Sequence, residues 1–341
     1  MQSRELKLAR HPQGKVRSED FSLEVVTVPE ELGPGDILVR NSWLSIDPSV
    51  RMRLGPTGPA GYLPPFRLGD TLAGLAVGEV IRSRAGSFEP GDTVLHINGF
   101  REFAVIREDS ETLAGAGGVT KLDTSEHPPQ SYLGALGSSG LTAYVGLHCI
   151  GELTAGDVVW ISSAAGAVGS IAAQIARLRG HYVVGSTGSA DKVRFLSEKL
   201  RLDAAFDYHT LDLTDALVGA APDGIDLYFD NVGGTHLQAA LYNLRRGGRV
   251  AMAGAVASYE REATGPDNLF QIVAKNLTVK GFRAGAYDHL LGDMRAEVGS
   301  YLRDGRLVAA ETVFDGLESA PDAIVAMLGG RTVGKTLCRL G

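Results

Sequence analysis

The chain has almost no cysteine. Cys149 and Cys338 are the only two in 341 residues, and they form neither a CxxC pair nor a cluster with the spacing of a structural or catalytic zinc site. Both read as buried or incidental thiols. Basic charge is also scarce: 33 Lys and Arg face 40 Asp and Glu, and the net charge is −7 at pH 7. With no basic stripe, nucleic acid is not an expected partner. No stretch reaches the roughly 18 apolar residues of a membrane span, and the charged segment 1–21 lacks the apolar core of a signal peptide. Cytoplasmic residence, with no membrane partner, is the expectation. The eight histidines are scattered without ligand spacing. Hydrophobic residues at 44% and charged residues at 21% exclude a disordered scaffold, a collagen-like fibre and a coiled coil.

What the chain does have is glycine, 44 residues of it. Such a surplus serves tight turns and close approaches of backbone to ligand, which suits an α/β enzyme. A chain of this length is expected to divide into two domains around a cleft.

The first third carries short apolar runs at 21–28, 36–45, 72–83 and 92–106, read as strands of a β-rich domain. Turn chemistry launches three of them: Pro34-Gly35-Asp36, Gly69-Asp70 and Pro90-Gly91-Asp92. After the loop 114–129 the rhythm changes to βαβ units. The expected strands are 158–162, 181–186, 225–229 and 249–253, and the expected helices are 168–179, 190–199 and 237–244. The tail, with Phe314, a helix over 320–328 and a last strand through 340, leaves this series and is expected to return to the first domain. The fold class is therefore α/β, a β-rich domain plus a doubly wound parallel-sheet domain.

The segment from Val158 to Gly169 places a strand, a tight turn and a helix start in the order that dinucleotide binding requires. Its spacing is Ala164-x-Gly166-x-x-Gly169, with Ala164 in place of the usual first glycine. Gly166 lets a pyrophosphate lie against the backbone at the positive end of the helix, with Ala167 and Val168 beside it, and Gly169 lets that helix pack on the strand. The same small residues would also serve a ligand-free helix contact. The next strand runs into Ser186-Thr187-Gly188-Ser189 where an NAD-specific domain places a carboxylate for the ribose. Lys192 follows, and with Ser186, Thr187 and Ser189 it offers the cation and hydroxyls that a 2′-phosphate needs, although a lone Lys on a helix is otherwise a solvent residue. NADPH is preferred over NADH on this reading.

Several segments together resemble the zinc-independent medium-chain dehydrogenases/reductases of the leukotriene hydroxydehydrogenase, prostaglandin reductase and alkenal double-bond reductase group. They are Asn-Ser-Trp-Leu-Ser-Ile-Asp-Pro-Ser-Val-Arg-Met-Arg at 41–53, Gly-Leu-Thr-Ala-Tyr-Val-Gly-Leu at 140–147, the glycine-rich turn at 162–169, Gly-Ser-Ala-Asp-Lys at 188–192, Tyr-Phe-Asp-Asn-Val-Gly-Gly at 228–234, and 329–335. The resemblance implies a GroES-like catalytic domain over 1–125, completed by 312–341, around a Rossmann NADPH-binding domain at 126–311 that often mediates homodimers. It also implies that Lys192 and Tyr208 bind the 2′-phosphate, that Asn231 lines the cofactor, and that Tyr259 is the candidate acid. Two positions depart from the family's pattern. Thr332 stands where an Asn is usual, and Ser49 where a substrate-contacting Tyr is often found. Asp47, Arg51 and Arg53 read equally as braces of their loop.

Zinc-dependent alcohol dehydrogenases need His, Glu and Cys ligands early in the chain, and the stretch 69–78 offers none. Conjugate addition of hydride to an enone or enal needs only a donor aimed at the carbonyl oxygen. The expected chemistry is hydride transfer to the β-carbon of an α,β-unsaturated aldehyde or ketone, with the enolate stabilised by Tyr259 or the cofactor ribose. Two alternatives stay open: an NADPH quinone reductase, and a nucleotide-binding protein without catalysis.

Overall fold

The computed structural model describes residues 1–110, 118–260 and 265–341. Within it the chain divides into two compact units, Met1–Gly134 with Glu311–Gly341, and Ala135–Ala310. The first division falls later than the expected 125, beyond the 3-10 turn Pro129–Leu133. Residues 114–117 of the expected boundary loop lie outside the described residues.

The first unit is built on strands β1 (Gln2–Leu8), β2 (Phe21–Thr27), β3 (Asp36–Ile46), β4 (Ala76–Ser83), β5 (Thr93–His96), β6 (Phe103–Arg107) and β7 (Thr120–Lys121). β1 and β2 pair antiparallel, with Leu6 opposite Leu23. β3 is the longest strand and the hub, pairing with β4 and β6. The expected single strand 92–106 is two strands, because Phe100 takes a left-handed conformation, φ 57°. That reversal sends β5 to β4 and β6 to β3.

The second unit alternates strands and helices. In order these are α1 (Ser138–Val145), β8 (Val158–Ile161), α2 (Ala167–Leu178), β9 (Tyr182–Thr187), α3 (Ala190–Arg194), β10 (Ala204–Asp207), α4 (Leu213–Ala220), β11 (Ile225–Asp230), α5 (Gly234–Asn243), β12 (Leu244–Met252), α6 (Phe270–Lys275), β13 (Thr278–Gly281) and α7 (Leu291–Arg303). The strands form one parallel sheet in the order β10-β9-β8-β11-β12-β13. Both faces are covered, so β8 and β11 are nearly continuous apolar runs with Val159, Trp160, Ile161, Leu227, Tyr228 and Phe229 fully buried. Trp160 stacks on Tyr228 with ring centroids 4.3 Å apart. The strand order reverses between β8 and β11, and at such a switch point the carboxyl ends of neighbouring strands splay their loops apart and leave a crevice for a ligand.

The tail adds β14 (Glu311–Asp315), α8 (Ala320–Leu328) and β15 (Lys335–Arg339). β15 pairs antiparallel with β3, Cys338 opposite Leu44, so the last residues do return to the first unit. Cys338 is fully buried there, in a cluster with Leu44, Ile46, Leu317 and Ile324, and burial pushes its thiol up to about 12. Among the described residues no helix is long and apolar enough to cross a membrane.

Candidate functional site

The turn between β8 and α2 is shaped by its own backbone. Ser163 takes φ 50°, Gly166 N–H donates to the Ser163 carbonyl at 2.9 Å, and Ala164 N–H donates to the Ser186 carbonyl at 3.0 Å. A Cβ at Gly169 would lie 2.3 Å from the Ser163 oxygen, so no larger residue allows α2 this close to the turn. The twelve-residue α2 follows Gly166, its N-cap, with no side-chain cap and no acidic residue in its first turn. Gly166, Ala167 and Val168 are partly exposed. Main-chain donors at the positive end of a helix, undisputed by any carboxylate, fit a pyrophosphate. Ala164 is different. It is fully buried, and a Cβ at Gly185 would come within 3.0 Å of its methyl, so it shapes the turn from inside rather than touching a ligand.

At the end of β9 the structure sorts the hydroxyls. Ser186 is fully buried and accepts the indole N–H of Trp160 at 3.2 Å. A buried indole donor needs an acceptor, and Ser186 supplies it, so this hydroxyl serves the core as well as the expected phosphate corner. Thr187 is buried too, and its carbonyl accepts Tyr208 N–H at 3.1 Å. Ser189 caps α3 and accepts the Lys192 N–H at 3.4 Å. Lys192 is half-buried, and burial lowers its ammonium from the ordinary lysine value. The Tyr208 hydroxyl borders the same turn, 3.0 Å from where a Cβ on Gly188 would stand. Asp191 faces away, in an exposed ion pair with Arg194. Gly188, Ser189, Lys192 and Tyr208 therefore form a corner with a cation and two hydroxyls, the donor set that a 2′-phosphate requires; the neighbouring Asp207 carboxyl accepts the His209 N–H at 2.9 Å. Sequence reasoning missed Gly188, whose lack of a side chain makes room for Tyr208 and His209.

The ends of β8, β11 and β12 are stitched together. Asn231 donates its main-chain N–H to Ser162 Oγ at 3.0 Å and its side-chain Nδ2 to the Ser162 carbonyl at 2.8 Å. That leaves the Asn231 amide oxygen as the acceptor end. The Asp230 carbonyl accepts Ala253 N–H at 2.8 Å and Gly254 N–H at 3.1 Å, and the carbonyls of Asn231 and Val232 accept from Val256 and Ala257. These bonds place the 3-10 turn Val256–Ser258, and Tyr259 just after it, at the carboxyl edge of the sheet. The Tyr259 hydroxyl lies over Gly254, 3.7 Å from where its Cβ would be. Residues 261–264 of the loop beyond lie outside the described residues.

In the first unit, Ser49 opens the 3-10 turn Pro48–Arg53 with Pro48 at its head. Asp47 before it is a brace: its Oδ1 is 2.5 Å from Lys335 Nζ, and its other oxygen accepts from Ser45 Oγ. Arg51 donates to the Gly14 carbonyl at 3.0 Å, Arg53 donates to the Pro64 carbonyl at 2.9 Å, and Arg53 stacks 3.8 Å above Phe66. Thr332 is buried and accepts the Thr336 hydroxyl at 3.0 Å. Among the described residues no three His, Cys, Asp or Glu side chains gather as a metal site.

Two family models match the chain, one described as the N-terminal domain of oxidoreductase at residues 4–113 and one as zinc-binding dehydrogenase at residues 167–298. The chain is 37% identical to an NADP-dependent 2-alkenal reductase of Nicotiana tabacum, covering 96% of this chain and 94% of that one. It is 34% identical to an NADPH-dependent curcumin reductase of Escherichia coli, covering 98% and 95%. In three dimensions it matches the crystal structure of CurA in complex with NADPH from Vibrio vulnificus, with a TM-score of 0.91, 31% identity and 99% of each chain covered. The parallel sheet, the glycine turn and these full-length likenesses lead to one assignment: the chain belongs to the medium-chain dehydrogenase/reductase superfamily and is an oxidoreductase of the group that includes the alkenal and curcumin reductases.

Proposed function

We propose that the protein is an NADPH-dependent reductase of the carbon–carbon double bond of α,β-unsaturated aldehydes or ketones. The observation that carries this reading is the pairing of a corner at Ser189, Lys192 and Tyr208, which offers a cation and hydroxyls, with a phenol, Tyr259, held over Gly254 at the carboxyl ends of the same sheet. The names of the relatives, which act on alkenals and curcumin, support the substrate class.

When bound, NADPH supplies a hydride for the β-carbon of the unsaturated carbonyl compound. The chain's residues divide the remaining work. The amides of Ala167, Val168 and Gly169 hold the pyrophosphate, and Lys192 and Tyr208 hold the 2′-phosphate. Thr187 shapes the strand end beside it. Asn231 offers its amide oxygen to a donor of the cofactor, since its nitrogen is already committed to Ser162. Tyr259 donates a hydrogen bond to the carbonyl oxygen as negative charge develops there, and a proton reaches the α-carbon from Tyr259 or from water.

The proposed partner is a second copy of the chain. β13 is one of the two edges of the parallel sheet, with all four of its residues exposed, and near it Leu269, Phe270 and Val273 of the α6 region stand exposed. An uncovered edge beside apolar side chains is a template for pairing.

The test is consumption of the reduced cofactor with a panel of enones, enals and quinones, NADPH and NADH run in parallel. Saturated aldehyde or ketone formed preferentially with NADPH is the expected result. Turnover confined to quinones would replace the reading with quinone reduction, and binding of NADPH without any turnover would replace it with a non-catalytic role.

A further inference from the structure

Asp230 is fully buried at the end of β11, and its two carboxyl oxygens are treated unequally. Oδ1 accepts three hydrogen bonds, from the Tyr228 hydroxyl at 2.8 Å, Val232 N–H at 2.9 Å and Gly233 N–H at 2.7 Å. Oδ2 is buried and, among the described residues, meets no donor in hydrogen-bond geometry, while the nearby Ser162 hydroxyl favours the ionised form. Gly233 takes φ 71°, in the left-handed region, which turns its N–H back toward the carboxyl as a side chain with a Cβ would resist. Burial raises the Asp230 carboxyl above its ordinary range, and the Gly233 N–H acts against that shift. Burying a carboxyl is costly unless hydrogen bonds compensate, and three of them converge on Oδ1. These three donors on one oxygen hold the four-residue turn closed.

The Asp230–Gly233 turn bears Asn231, and the carbonyls of residues 230, 231 and 232 receive the N–H groups of residues 253, 254, 256 and 257. The loop that ends in Tyr259 therefore hangs on the turn that the Asp230 carboxyl holds closed. We propose that Asp230 is a positioning residue that fixes Asn231 and Tyr259 as one unit at the carboxyl edge of the sheet. This rests on the reduction proposed above for the roles of those two residues. Asp230 itself touches neither cofactor nor substrate; it acts through the turn. Displacing a reacting group by about 1 Å lowers turnover by up to roughly a hundredfold.

The experiment compares Asp230→Ala and Asp230→Asn with the parent enzyme in three readouts: kcat with an enone, the NADPH dissociation constant from cofactor fluorescence, and amide hydrogen exchange along the chain. In Asp230→Ala, kcat falls by about tenfold or more, NADPH affinity falls by a smaller factor because the Asn231 contact loosens while the phosphate contacts lie elsewhere, and exchange quickens at Gly254, Val256 and Ala257 but not at Ala167 or Val168. Asp230→Asn keeps an acceptor at Oδ1 and restores most of the turnover. Parent-like kcat and exchange in Asp230→Ala would overturn the inference, as would faster exchange spread evenly over the second unit. Should Asp230→Ala fail to fold, Tyr228→Phe removes one of the three donors; it is expected to show the same pattern more weakly, and parent-like exchange at 254–257 would overturn the inference. A parent enzyme silent on every enone overturns the reduction reading instead, and the exchange pattern alone then decides the role of Asp230.

Discussion

The ammonium of Lys335, six residues from the end of the chain, lies 2.5 Å from Oδ1 of Asp47, at the head of the 3-10 turn that carries Ser49. Lys335 is almost wholly buried while the Asp47 side chain is about one-third exposed, 5% against 36%. The two partners are therefore not equivalent. Removing Asp47 strands a buried cation, whereas removing Lys335 leaves a carboxylate that water can reach. Asp47→Ala is expected to destabilise the protein by about 3 kcal/mol and Lys335→Met by clearly less. Urea unfolding midpoints check this, and equal losses would show that the pair is held by something other than the burial of Lys335.

Lys192 and Tyr208 are predicted to set cofactor preference. A charge-assisted hydrogen bond to a phosphate is worth about 1.5–3 kcal/mol, so Lys192→Ala should raise the KM for NADPH by roughly ten- to a hundredfold. The KM for NADH should hardly change, because NADH brings no 2′-phosphate to lose. Tyr208→Phe should shift the same ratio in the same direction by a smaller factor. Equal effects on both cofactors would place these residues away from the phosphate.

The parallel sheet was legible in the sequence because strands buried on both faces, such as β8 and β11, must be apolar throughout. α8 and the returning β15 were legible for a similar reason, since Ala323, Ile324, Leu337 and Cys338 are all buried. β1 was not: Gln-Ser-Arg-Glu-Leu-Lys-Leu reads as charged, yet its Leu6 and Leu8 are in the core and its charged residues pair along the outside, Arg4 with Glu102 and Lys7 with Glu24. At the candidate site, the glycine spacing and Lys192 could be read from local pattern. The bond that Ser186 accepts could not, because its donor, Trp160, is 26 positions away. Asp230 escaped notice for the same kind of reason. Its importance lies in loops that only the folded sheet brings together.

Tyr259→Phe tests the proposed acid. A positioned general acid contributes roughly a hundredfold or more when nothing replaces it, but water and the ribose hydroxyl can stand in here. The expected result is a fall in kcat of about tenfold, with the KM for NADPH unchanged. If kcat is unaffected while product still forms, the phenol is a wall of the site and the proton comes from water.

Self-association is predicted to depend on the α6 region. Phe270 and Val273 are 74% and 66% exposed, on a helix of the unit whose sheet ends in β13. Phe270→Glu combined with Val273→Glu should convert a dimer to a monomer in light scattering, while NADPH binding persists. A parent chain that is already monomeric at micromolar concentration would remove the dimer from the account.

Two buried histidines should make stability depend on pH. His96 donates or accepts between Asn41 Oδ1 at 2.9 Å and Asn98 N–H at 3.1 Å; since the N–H can only donate, Nδ1 accepts and Nε2 donates. Burial lowers His96 to about 3 and His236, stacked on Trp160 with Nε2 unpartnered, to about 4. Both lie below the unfolded value of about 6.5, so between these limits the unfolded chain binds more protons than the folded one. Their contribution is therefore full above about pH 6.5 and is lost as pH falls toward 4 and then 3, by at most about 1.4 kcal/mol per pH unit for each ring. His236→Phe keeps the stack on Trp160 and removes the titrating group without breaking a hydrogen bond at Nε2. It should lose less stability than the parent between pH 7 and pH 5 in urea titrations; an identical loss would mean that His236 is already hydrated in the folded protein.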